Sequence, residues 1–228
     1  MLNQIPESLI LKLRRAQFIA FDNDGTLFNG LDLSWVAFQK SWKAVCSKHN
    51  VNLEIPTKDD FKSQIGKPAH EFFPELLPEK YRFLSPELHA GIARHEISAI
   101  TKGEGRLFDD VLHMLETLKK RGYKLILVSN ASTNYFTACV ENLGYKEFFN
   151  GTFCVGDSLK DKSEILHDAM KLLNLTIGVM VGDRKSDIIA GKDNQLLTIG
   201  MSYGYGTPAE LAHANIILDN PNDLLLIT

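Results

Sequence analysis

The chain has 228 residues, 44% hydrophobic and 23% charged, which suits a soluble globular protein of one large domain or a medium domain with a smaller partner. Its 25 Lys and Arg against 28 Asp and Glu leave a formal net charge of −3, so nothing favours capture of a nucleic acid polymer or an acidic membrane. Cys46, Cys139 and Cys154 are odd in number and lack metal-ligand spacing, and neither a signal peptide nor an apolar span of about 20 residues is visible, so a cytoplasmic protein is expected.

The first clear element is Phe18-Ile19-Ala20-Phe21, a short apolar run that predicts a buried strand and ends on Asp22-Asn23-Asp24-Gly25-Thr26. Residues two apart on an extended chain share a face, so Asp22 and Asp24 are expected together at the strand's C-terminal edge. Two carboxylates held that close repel, and a hard cation such as Mg2+ relieves the repulsion. An Asp-rich surface turn would use the same residues, so this pentapeptide alone does not decide.

From about Leu31 to Thr101 the signals are helical. Leu33, Val36, Ala37, Trp42 and Val45 approximate a 3.6-residue period, Thr57 and Asp60 stand in capping-box positions, and a further helix is expected from Pro86 through Ile100. Within this block Lys67 can meet a second anionic group and His70 a hydroxyl or carboxylate; equally, Gly66 and Pro68 can make a plain turn with an exposed lysine. Trp35 and Trp42 are expected in the block's own core.

The pattern then alternates. Val111, Leu112, Leu115 and Leu118 mark one face of a helix stopping near Gly122, and Lys124–Val128 follows as a buried strand ending at Ser129-Asn130. Residues 152–155, 178–181 and 197–199 are further short apolar runs separated by helical segments. Such alternation predicts an α/β fold, a Rossmann-like parallel sheet between two helical layers, with ligands bound outside the carboxyl ends of the strands. The core is expected to comprise residues 1–27 and 105–228, with a helical cap inserted at 28–104 as a lid.

Polar residues follow these runs. Ser129 and Asn130 can donate to phosphoryl oxygens without adding charge. Lys160 or Lys162 can steady a carboxylate nucleophile. In Gly182-Asp183-Arg184-Lys185-Ser186-Asp187, one acid can reach a metal while the second holds a metal-bound water or the lysine, although Asp183 is also a good helix cap. Arg184 either contacts an anionic leaving group or faces solvent.

The Asp-x-Asp-Gly-Thr motif after its strand, the Ser129 strand end, the lysine before Ser163-Glu164-Ile165 and the Gly-Asp-x-x-x-Asp segment resemble, in order, the four motifs of the haloacid dehalogenase superfamily. The likeness is to its phosphoglycolate phosphatase-like branch with a helical cap. It favours Lys162 over Lys160 and places the first strand mid-sheet; Tyr203-Gly204-Tyr205-Gly206-Thr207 resembles a loop of the same branch. The resemblance implies a phosphatase for a small phosphorylated metabolite. Asp22 would be nucleophile, Asp24 acid and base, and Lys162, Ser129 and Asn130 the phosphate grip. Mg2+ would lie on Asp22, the Asp24 carbonyl and Asp183, with Asp187 behind them. A phosphosugar mutase on the same core and a non-catalytic binding protein are the alternatives, and oligomeric state is not legible.

Overall fold

The computed structural model describes residues 5–67, 69–156, 158 and 160–228, and at Ala69 and His70 the backbone only. After α1 (Glu7–Arg14) and β1 (Phe18–Phe21), the chain forms helices α2 (Leu31–Lys48), α3 (Lys58–Gln64), α4 (Ala69–Leu76) and α5 (Ser85–Thr101). It then continues as α6 (Val111–Lys120), β2 (Lys124–Ser129), α7 (Thr133–Asn142), β3 (Gly151–Cys154), α8 (Lys162–Leu172), β4 (Gly178–Gly182), α9 (Lys185–Asp193) and β5 (Leu197–Met201). α10 (Pro208–Leu211), β6 (Ile216–Leu218) and α11 (Pro221–Ile227) complete it.

The strands form one parallel sheet in the order β3-β2-β1-β4-β5-β6, with Phe18 opposite both Lys124 and Gly178. β1 is therefore central, and the order reverses beside it, where α/β sheets leave a crevice for ligands. Its side chains alternate as the period of two requires. Ile19 and Phe21 pack with Val111, Leu115, Leu118 and Phe136 on one face; Phe18 and Ala20 pack with Leu166, Ala169 and Ala190 on the other.

The segment between β1 and α6 is helical among its described residues and has its own core, in which Phe38, Trp42, Phe61, Phe73 and Leu88 are buried. Trp35 stacks on Phe38 with centroids 5.5 Å apart, and Phe38 meets Phe61 at 4.8 Å. The expected capping box is present: Thr57 accepts from the Asp60 N–H and Asp60 reaches back to the Thr57 N–H. A fourth apolar cluster, Phe28, Ile100, Tyr135 and Cys139, joins this block to α7.

Three details depart from expectation. Val36 and Leu112 are outward, 47% and 45% exposed. On α2 the buried stripe includes Ser34 and Ser41, because α5 approaches closely there: a Cβ at Gly91 would lie 2.9 Å from the Ser41 Oγ. Small polar residues took the place that an apolar count assigns to Val36. α1, β6 and α11 were also not expected, the strand being only three residues long. Among the described residues no helix is long and apolar enough to cross a membrane.

Phe38 is fully buried at the hub of the aromatic cluster. Phe38→Ala should cost about 3–5 kcal/mol, read as a lower urea midpoint.

Candidate active site

Parallel strands bring their C-terminal ends to one edge, so the segments after β1, β2 and β4 meet there. The Asp22 N–H donates to the Val181 carbonyl at 2.9 Å, extending the sheet by one residue before the chain turns. α8 starts with a second capping box, Asp161 with Glu164, and this delivers Lys162 inward. The Lys162 Nζ lies 2.6 Å from Asp22 Oδ1 and 2.6 Å from Asp187 Oδ1, all three side chains being buried. Lys160 instead pairs with Asp168 at the surface.

Asp187 occupies the third position of α9. Its Oδ2 accepts from the Arg184 N–H at 2.8 Å, so both of its oxygens are engaged. Arg184, not Asp183, is the cap of that helix. Asp183 accepts from the Thr26 hydroxyl at 3.1 Å and from the Tyr205 N–H at 2.7 Å. Two glycines let it sit there. A Cβ at Gly25, whose φ is +88°, would lie 2.3 Å from Asp183 Oδ2, and one at Gly204 would lie 2.3 Å from the Asp183 Cβ.

Asp22, Asp183 and Asp187 each offer a carboxylate oxygen within 4.8 Å of the others, all buried. The electrostatics follow from that crowding. Burial first, then the Asp187 charge, push the Asp22 carboxyl up, with Lys162 opposing; the same two causes push Asp183 up to about 7. Burial alone would lower the Lys162 ammonium, but Asp187 and Asp22 outweigh it and hold it above its ordinary value. Hard oxygen donors with an excess of buried negative charge are a set that a small divalent cation fits.

Asp24 turns elsewhere. Its Oδ1 accepts from the Tyr135 hydroxyl at 2.5 Å; burial raises its carboxyl, and Tyr135 and Asn23 partly offset this. Ser129 is buried, and its Oγ accepts from the Ala131 N–H at 3.1 Å. The Asn130 amide donates to the Gly66 carbonyl at 3.0 Å, across to the helical block.

Lys67 and Arg184, two of the cations expected to meet substrate, are engaged within the protein. Lys67 pairs with Glu75 at 3.0 Å and donates to Gln64 at 2.8 Å. Arg184 is buried, pairs with Glu210 at 3.2 Å, and donates to the Ser63 and Tyr205 carbonyls. The His70 side chain lies outside the described residues. Tyr203 packs against Phe108 and donates to the Thr26 carbonyl at 2.7 Å, so it serves as structure beneath the first motif.

The sequence profile of the haloacid dehalogenase-like hydrolases matches residues 17–194. The chain belongs to the haloacid dehalogenase-like hydrolase family. Among its relatives, a phosphoglycolate phosphatase of Colwellia psychrerythraea is 27% identical over 207 residues, covering 86% of this chain and 88% of that protein. The pyrophosphatase PpaX of Listeria welshimeri is 28% identical over 218 residues, covering 92% and 94%. A haloacid dehalogenase-like hydrolase of Streptococcus pneumoniae superposes with a TM-score of 0.78 over 95% of this chain and 98% of its own, at 20% identity, and so shares the fold of this hydrolase.

Sequence reasoning missed Tyr135, the Tyr205 N–H and Glu96. Only Glu96 left a usable trace: it continues the buried stripe Leu88, Ile92, Ile100 of α5, the one acid among apolar residues spaced by four. Burial pushes its carboxyl up to about 7, the Ser34 hydroxyl opposing and the Asp24 charge assisting. A carboxyl raised in the folded state stabilises below its unfolded value near 4.5, and that stability is lost as pH rises through about 7. Glu96→Gln should therefore be the more stable protein at pH 8, by on the order of 1–3 kcal/mol, and show little gain at pH 5. Melting temperatures of both proteins at the two pH values test this.

Proposed function

We propose that this hydrolase is a Mg2+-dependent phosphatase that cleaves a small phosphomonoester through an aspartyl-phosphate on Asp22. One observation carries the reading: a buried lysine bridges Asp22 and Asp187 at 2.6 Å to each, with Asp183 in the same acid cluster. Relatives named for phosphoglycolate and pyrophosphate support phosphate chemistry.

In this reading an Asp22 oxygen attacks phosphorus, and the bond to the leaving oxygen breaks as Asp24 gives that oxygen its proton. The ionised Asp24 then takes a proton from a water, the water oxygen attacks phosphorus, and the bond to Asp22 breaks, releasing inorganic phosphate. Tyr135 fixes the Asp24 carboxyl through its 2.5 Å hydrogen bond. Lys162 holds Asp22 in place and faces the charge of the phosphoryl group, which Ser129 and, once freed from Gly66, Asn130 also grip. Asp22, the Asp24 main-chain carbonyl and Asp183 would hold Mg2+, which when bound offsets the charge of nucleophile and phosphoryl group. Residues 28–104 act as the cap over a core of 1–27 and 105–228 and shield the site from water.

Phosphate release from a panel of phosphomonoesters with Mg2+ tests this. Asp22→Asn should lose about 10³-fold or more, and retained activity would remove Asp22 as nucleophile. Millimolar Mg2+ should raise the melting temperature of the wild type, by about 2.7 kcal/mol of added stability at a hundredfold excess over Kd, and leave that of Asp183→Asn nearly unmoved.

A further inference from the structure

Between cap and core lies a cavity of about 980 Å³, much larger than the phosphoryl site at its floor. Its charges decide what kind of leaving group it can take. The acid that protonates the leaving oxygen is Asp24, so the leaving group must lie on the Asp24 side, away from Ser129 and Lys162. The wall there is made by Tyr135 of α7, Ser34 of α2 and Glu96 of α5. The Tyr135 hydroxyl is spent on Asp24, and the Ser34 hydroxyl on Glu96. Glu96 is near enough to Asp24 to feel its charge, and among the described residues no cation pairs with it.

The cations lining the same cavity are engaged elsewhere. Lys67 is held by Glu75 and Gln64, Arg184 by Glu210 and two carbonyls, Lys160 by Asp168, and Lys162 by Asp22 and Asp187. Among the described lining residues Lys185 remains, exposed at the first residue of α9. Above pH 7, where Glu96 is ionised, an anionic leaving group would therefore stand beside its carboxylate. A leaving group with a donor would instead supply Glu96 with a second partner beside the Ser34 hydroxyl.

We infer that the leaving group of the natural substrate carries a hydrogen-bond donor, a hydroxyl or an ammonium, that Glu96 receives, and that esters with an anionic leaving group are rejected. This rests on the phosphatase reading and narrows it. It also separates this chain from the activities its relatives are named for, since glycolate and phosphate are both anionic leaving groups.

The test is kcat/KM with Mg2+ for glycerol 3-phosphate, phosphoethanolamine, 2-phosphoglycolate, pyrophosphate and p-nitrophenyl phosphate, the last having a leaving group with neither donor nor carboxylate. Wild type should favour glycerol 3-phosphate or phosphoethanolamine over both anionic substrates by about 10²-fold. Glu96→Lys should shrink that ratio at least tenfold. Glu96→Gln should lower the ammonium substrate relative to p-nitrophenyl phosphate while sparing the hydroxyl one, which tells the two donors apart and carries the test if the lysine variant does not fold. Equal or better turnover of phosphoglycolate or pyrophosphate by wild type overturns the inference and leaves the phosphatase reading standing. Phosphoglycolate turnover lost in Lys185→Ala also overturns it, by moving recognition to the rim. Release from no substrate, p-nitrophenyl phosphate included, overturns both.

Discussion

The Lys162 ammonium is the constraint on which the rest of the site depends. Burying a carboxylate costs several kcal/mol unless it is paired, and here three of them share one small volume. One ammonium, 2.6 Å from two of the three, is what makes that arrangement tolerable. Its position requires that α8 start where it does, which the Asp161–Glu164 capping box sets, and that β1 and β4 be neighbours so that Asp22 and Asp187 can face the same nitrogen. A parallel sheet with β1 at its centre satisfies both conditions.

The acids are held by short loops. Asp183 is wedged against two glycine-bearing segments and takes hydrogen bonds from Thr26 and the Tyr205 main chain. Asp187 is fixed by the start of its own helix. The helical segment between β1 and α6 contributes a cavity wall, the Gly66 carbonyl to Asn130 and the Ser63 carbonyl to Arg184. It is cored separately from the sheet, since the Phe38 cluster and the sheet clusters are distinct.

Much of the fold was legible in the sequence because strong local signals agreed with tertiary need. Four-residue apolar runs ending on acids can hardly be anything but buried strands, and Thr57 and Asp60 form their capping box wherever the helix packs. The failures have physical causes. β6 is too short to stand out from the surrounding polar residues. Val36 was misplaced because the buried face of α2 runs through Ser34, Ala37, Phe38, Ser41, Trp42 and Val45, which turns Val36 to the outer side of the helix. The alternation of strands and helices implied that Asp22, Ser129 and Asp183 would meet at one sheet edge, and they do, each following a parallel strand's C-terminal end. Tyr135 was not legible, since its partner is 111 positions away and nothing local marks its hydroxyl. Arg184 and Lys67 show the converse: a cation near a site looks available in sequence, and only coordinates reveal that Glu210 and Glu75 already hold it.

Arg184 stands between the two acids of its motif and touches three parts of the molecule. Its main-chain N–H fixes Asp187, while its guanidinium reaches Glu210, the carbonyl of Tyr205 and, in the helical segment between β1 and α6, the carbonyl of Ser63. Three of its four anchors therefore lie outside that segment. Losing the Ser63 contact alone would leave Arg184 tied to Glu210 and Tyr205, and Asp187 still held by the Arg184 main chain.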